Sequence, residues 1–216
     1  HPSISRVVIA GESAGAYVAC LAARQGHRAD AYVFLGALHD DVEGLLRYNY
    51  VRLLEYAERS IANRRWAEKN APLSLAMGES YSEIMEAARR GEESFILEVA
   101  GRKWPLSLGK LREEMDFPPS RAFLFIKEPT LVLQGDMDMN VSTADAMLIE
   151  AALKKAGNNQ VERMMIPGAD HSFQSAPEDE AARIRERHSF ASFLRPYKEE
   201  FYKAMLEWLE RVIPHA

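Results

Sequence analysis

One stretch of this sequence has the residue types and spacing for covalent chemistry: Gly11-Glu12-Ser13-Ala14-Gly15. A serine hydroxyl attacks a carbonyl carbon when a base removes its proton and donors receive the developing oxyanion. Glycines flanking Ser13 at this spacing fit a sharp turn that holds the serine in a backbone conformation most residues avoid. Gly11 and Gly15 would let a following helix pack close to the preceding strand, and Ala14 and Ala16 would keep the turn uncrowded. The Ala14 N–H would then point into the site at the helix N-terminus, where backbone donors and the helix dipole favour an oxyanion. The alternative is a serine in an ordinary glycine-flanked strand-to-helix connection. No His, Cys, Asp and Glu grouping has metal-ligand spacing, and no glycine-rich loop resembles a phosphate cradle. No cofactor is expected.

Such a turn needs a strand before it and a helix after it. Arg6–Ala10 is a short β-branched run, as in a buried strand, and Ala14–Gln25 carries small and apolar residues at helical spacing up to Gly26. Ala31–Leu38 reads as a second buried strand, so a βαβ unit with parallel pairing is predicted. Residues 39–125 contain several amphipathic helical segments and no convincing buried strand. The part containing Gly101 and Pro105 reads as short pieces, and Pro118-Pro119 closes the region. Strand and helix then alternate again: a strand at Thr130–Gln134, a helix at Ser142–Ala156 with Ser142 as N-cap, and a strand at Val161–Ile166. Residues 177–188 form a charged helical stretch, and Tyr197–Ile213 a strongly amphipathic terminal helix.

The 216 residues suffice for one sizeable core with a smaller appended part. Net charge is −5, with both signs interspersed, so no basic block suggests nucleic acid or an anionic membrane as partner. No apolar run has the length of a membrane span. Cys20 is the single cysteine, which excludes an intrachain disulfide and fits a reducing compartment; a cytoplasmic location is the expectation.

The chain resembles the α/β-hydrolase superfamily, in its esterase and serine-aminopeptidase-like branch, whose triad runs Ser, then Asp or Glu, then His in chain order. The resemblance lies in the "GESAG" turn, in "LVLQGDMDMNV" at 131–141 and in "IPGADHSF" at 166–173. It implies Ser13 as nucleophile, Asp138 as the acid that follows Gly135 by three positions, and His171 as the base. Asp138 would hold the imidazole in one tautomer, His171 would take the Ser13 proton and return it to the leaving group, and the Ala14 N–H would contribute to the oxyanion hole. Asp136 is the rival acid, more suited to a turn or backbone contact. The Asp170 side chain would diverge from His171, and Glu12 reads as structural or solvated. His27, His188 and His215 read as surface positions; His39 lies just past a strand end, where sites in parallel sheets gather.

The implied fold class is α/β: the C-terminal portion of a mainly parallel sheet flanked by helices, with an inserted helical cap. The implied division is 1–38 and 126–216 for the core and 39–125 for the cap. Tyr48, Tyr50, Trp66, Tyr81, Phe95 and Trp104 are candidate pocket residues in that cap, though aromatic residues at helical spacing more often form a core of their own. The family places further strands before the turn strand, together with a loop giving the second oxyanion donor. A preceding segment or a second chain is therefore expected to complete the sheet, and homo-oligomers are open. The expected activity is hydrolysis of a small-molecule carboxylic ester through an acyl-enzyme. The alternatives are an acyl-peptide or aminopeptidase-like amide hydrolase, or a non-catalytic binding module on the same fold.

Overall fold

The computed structural model describes residues 5–189 and 191–213. Among them are six strands: β1 (Val8–Glu12), β2 (Ala31–Leu35), β3 (Ser94–Val99), β4 (Arg102–Ser107), β5 (Thr130–Gly135) and β6 (Val161–Ile166). Four of them form one parallel sheet in the order β1-β2-β5-β6, while β3 and β4 pair as an antiparallel hairpin. The chain divides into two compact units. The first comprises His1–His39, Pro119–Ala176 and Phe193–Ala216; the second comprises Asp40–Pro118 and Pro177–Ser192. No helix among the described residues is long and apolar enough to cross a membrane.

The first unit is the α/β part. Every residue of β5 is buried, as are the first four of β2, which suits parallel strands covered on both faces. Ala31, Val33, Leu131, Leu133 and Ile166 form one core with Phe201, Ala204 and Trp208 of the terminal helix Glu199–Val212. Those three helical residues recur at three- and four-residue spacing and so lie along one stripe. The buried Tyr32 and Phe34 belong to the other alternation of β2, and Phe123 meets Phe34 edge-on at 5.4 Å. The helix α1 (Ala14–Arg24) buries Ala16, Ala19, Cys20 and Ala23, side chains small enough for close approach. Burial pushes the Cys20 thiol far above its ordinary range.

Strand register brings the connecting loops to one place. Glu12 pairs with Leu35, Leu35 with Leu133 and Gly135 with Ile166, so β1 and β2 finish level and β5 and β6 run two residues further in the same direction. The residues after them, Ser13, Gly36, Asp136 and the 167–173 loop, therefore emerge along one edge of the sheet. Two strand-end hydrogen bonds tie these loops down, Ser13 N–H to the Leu35 carbonyl at 2.8 Å and Met137 N–H to the Ala169 carbonyl at 2.9 Å.

The second unit is mainly helical and has its own core of Ile84, Met85, Ala87, Ala88, Leu97, Leu108 and Leu111. It differs from the sequence reading in two respects. Residues 94–107 form a hairpin rather than short pieces. Ala100 and Gly101, at φ 49° and 73°, make the two-residue turn with positive φ at both central positions that suits a hairpin's twist. Pro105 is tolerated because a two-stranded ribbon has free edges.

The predicted limits of 39–125 also shift. Residues 119–125 belong to the first unit, where Phe123 packs on Phe34. The helix Glu180–Ser189, assigned from sequence to the core, belongs to the second. There Glu180 meets Arg52 at 3.0 Å, Arg185 donates to the Tyr56 hydroxyl at 2.6 Å, and Arg187 donates to Asn49 Oδ1 at 2.9 Å.

Candidate active site

Ser13 occupies the turn between β1 and α1 at φ 52° and ψ −122°, a region that residues with a side chain avoid. It is the N-cap of α1, where a serine ordinarily accepts a hydrogen bond from a first-turn N–H, yet its side chain makes no capping bond. The residue is partly exposed. Gly11 explains how the turn closes: a Cβ there would lie 2.7 Å from the Ala16 backbone. Gly15 does not share that role, because a Cβ on it would meet nothing within 4 Å. The expectation that both glycines serve close packing thus holds for Gly11 alone. Ala14 opens α1, so its N–H is among the first-turn donors that no intrahelical carbonyl can reach.

Asp138 and His171 come together from the loops after β5 and β6. His171 Nδ1 lies 2.7 Å from Asp138 Oδ2, and Asp138 is buried. The same oxygen accepts from Gln134 Nε2 at 2.6 Å, while Oδ1 accepts from the N–H groups of Asn140 at 2.6 Å and Val141 at 3.0 Å. Four donors converge on one carboxylate, so Nδ1 carries the histidine proton and Nε2 carries the lone pair.

Two glycines make room for the imidazole and its loop. Gly36, at φ 53°, sits where a Cβ would lie 3.0 Å from both Cε1 and Nδ1 of His171. A Cβ on Gly135 would fall inside the Ala169 and Asp170 carbonyls. Ser13 is bonded through its N–H to Leu35, the neighbour of Gly36, so serine and imidazole gather at the ends of β1 and β2.

A model of the Alpha/beta hydrolase family matches residues 2–184. The chain belongs to that family. Among solved structures this hydrolase-family chain is similar to three proteins. They are MenH from S. aureus (15% identity, TM-score 0.43), Est1E from Butyrivibrio proteoclasticus (14%, 0.49) and the Pyrococcus horikoshii acylaminoacyl peptidase (14%, 0.47). The matches cover 96%, 95% and 98% of this chain and 69%, 62% and 24% of those chains, respectively, so it spans less than two thirds of the second and a quarter of the third. No curated protein sequence matches the chain.

The remaining sequence candidates of this α/β-hydrolase chain fall elsewhere. Asp136 accepts from the Gly168 N–H at 2.7 Å, a backbone contact. Asp170 turns inward to accept from the N–H groups of Ser172 and Gln174, and burial raises its carboxyl above the usual range. Glu12 and His27 are exposed. His188 is not a plain surface residue: burial, aided by neighbouring Arg187, pushes it down to about 4. His215 lies outside the described residues. The His39 ring stacks on Phe123 at 6.3 Å, and the His39 backbone N–H donates to the buried Asp145 at 3.0 Å.

Of the aromatic candidates, Tyr81 and Phe95 pack on the second unit's core, and Trp66 meets Tyr56 edge-on. Trp104 is 46% exposed. Sequence reasoning missed Gln134 and Gly36. Their signal is positional: one precedes the strand-end glycine of β5, the other ends the apolar run of β2.

Proposed function

We propose that this chain is a serine hydrolase that cleaves a carboxylic ester, with Ser13, His171 and Asp138 as its triad. The observation that carries this reading is the backbone of Ser13: a strained serine at a helix N-cap whose hydroxyl makes no capping bond. Strain of this kind persists where the surrounding fold over-determines it, and it gathers at reacting groups.

In the proposed cycle His171 Nε2 takes the Ser13 proton as Oγ attacks the ester carbonyl. Asp138 keeps the Nδ1 proton in place and stabilises the imidazolium. The Ala14 N–H, with the positive end of α1 behind it, faces the oxyanion of the tetrahedral intermediate. Collapse returns the proton from His171 to the leaving alcohol and leaves an acyl-Ser13 ester. Water, deprotonated by the same imidazole, then releases the acid and restores the hydroxyl. The second unit is proposed as the cap that selects the substrate.

Labelling with a fluorophosphonate probe followed by peptide mapping tests the reading. Modification of Ser13, abolished in His171→Ala, is the expected result; an unlabelled Ser13 in active protein would refute it. A matched panel of short esters and aminoacyl amides tests the substrate class. Faster turnover of the amides would overturn the ester assignment while leaving the triad intact.

A further inference from the structure

Gln134 stands one residue before Gly135 in β5 and is wholly buried. Its Nε2 donates to Asp138 Oδ2, the oxygen that His171 Nδ1 also uses. A carboxylate only accepts, so the amide must turn its nitrogen toward Asp138. Its own Oε1 is then left buried with no protein donor among the described residues. A buried acceptor without a donor is costly, and leucine or methionine would fill the same space without that cost. Packing alone therefore does not account for a glutamine here.

We infer that Gln134 is a positioning residue for the site: its amide shares Asp138 Oδ2 with His171, fixes that oxygen in place and draws off part of its charge, and so sets how firmly the imidazole holds a proton. This role rests on the proposed Ser13-His171-Asp138 triad. Among the ionisable groups whose charges act on His171 are Asp138, from the loop after β5, and Asp170, on its own loop. Asp170 is tethered by the Ser172 and Gln174 N–H groups, and Asp138 Oδ1 by those of Asn140 and Val141. None of these contacts involves the Gln134 side chain, so a change at 134 acts on Oδ2 alone.

The test compares kcat/KM against pH for a p-nitrophenyl ester in the full chain, as wild type, Gln134→Leu and Gln134→Met. Ser13→Ala and His171→Ala serve as controls, and thermal melts report folding. Without the amide donor, Oδ2 attracts the imidazolium more strongly, so the acid limb of the profile moves to higher pH by about half a unit to one unit. On that limb the rate falls by about three- to tenfold, and the melting temperature does not drop.

If the control variants keep the wild-type rate, the triad reading itself fails. If the controls lose the rate while both Gln134 variants keep the wild-type acid limb, the role of Gln134 alone is overturned. A changed KM with an unmoved limb has the same consequence. Failure of both variants to fold also overturns the inference, since it makes Gln134 a structural requirement.

Discussion

Replacing Asp138 by asparagine changes one acceptor oxygen into a donor group, and the surroundings dictate which one. Oδ1 accepts the Asn140 and Val141 N–H groups, so the amide carbonyl of Asn must take that position. The amide NH2 then stands where Oδ2 was, facing His171 Nδ1 and Gln134 Nε2. Toward His171 it donates, which moves the imidazole proton from Nδ1 to Nε2. The nitrogen assigned to receive the Ser13 proton then already carries one. Toward Gln134 it opposes a second donor, and a half-turn of the Gln134 amide relieves the conflict. That turn brings Oε1, which no protein group in the described residues now serves, against the new NH2.

The two consequences separate cleanly. Asp138→Asn should lower kcat by about 10⁴-fold, equivalent to about 5.5 kcal/mol on the barrier, through the wrong tautomer. Its stability should stay within about 1 kcal/mol of wild type, because the number of unsatisfied buried groups around position 138 does not rise. Asp138→Ala should lose activity as well, but it strands the donors of Gln134, Asn140 and Val141 and should cost about 3–5 kcal/mol of folding stability. Turnover of a p-nitrophenyl ester and urea melts of the two variants provide the comparison. An asparagine variant within tenfold of wild-type kcat would refute the tautomer reasoning. One as unstable as the alanine variant would refute the amide turn.

Other substitutions probe the backbone around the site. Gly11→Ala should cost at least about 2 kcal/mol and abolish activity, since the added Cβ meets the Ala16 backbone, which cannot yield without moving Ser13. Gly15→Ala should leave stability unchanged or raise it by up to about 1 kcal/mol, as expected for alanine replacing glycine in open helix surroundings; melting both variants decides between them. Gly36→Ala should lose about 1–2 kcal/mol from positive φ and lower kcat about tenfold or more by displacing the His171 ring, a double effect visible in melts and turnover together. His188 gives a pH prediction. Its folded-state value of about 4 lies below the ordinary histidine value of 6.5, so the unfolded chain binds the extra proton. Stability should therefore be complete above about pH 6.5 and fall by about 2–3 kcal/mol as pH drops to about 4, and His188→Asn should flatten that slope in urea melts.

What the sequence discloses about this chain depends on how locally each feature is encoded. The strands β2 and β5 are legible because burial on both faces leaves unbroken apolar runs, AYVFL and TLVLQ. The Ser13 turn is legible because the strain must be accommodated by immediate neighbours, so the small residues stand beside it in the chain. The pairing of Asp138 with His171 is not local; only the order of family motifs points to it. The hairpin at 94–107 escaped because Pro105 and Gly101 read as breakers, and a ribbon exposed on its outer face carries no buried run. The helix Glu180–Ser189 was legible as a helix, but its place was not, because it joins the second unit through Glu180, Arg185 and Arg187. Charged side chains leave no apolar periodicity to say where a helix docks.

Gln134 and Gly36 show the same limit at the site itself. Each acts on a residue far along the chain: Gly36 makes room for the His171 ring, and the Gln134 amide shares an acceptor with it. In sequence the first is merely the end of an apolar run and the second a polar residue interrupting one. The polar residue at the end of a fully buried strand is the more informative of the two. A buried strand position admits a glutamine only if something there requires a donor, and in this sheet that requirement is the carboxylate four residues on. Gln134, just before the strand-end glycine of β5, therefore points to the Asp138 loop beyond it.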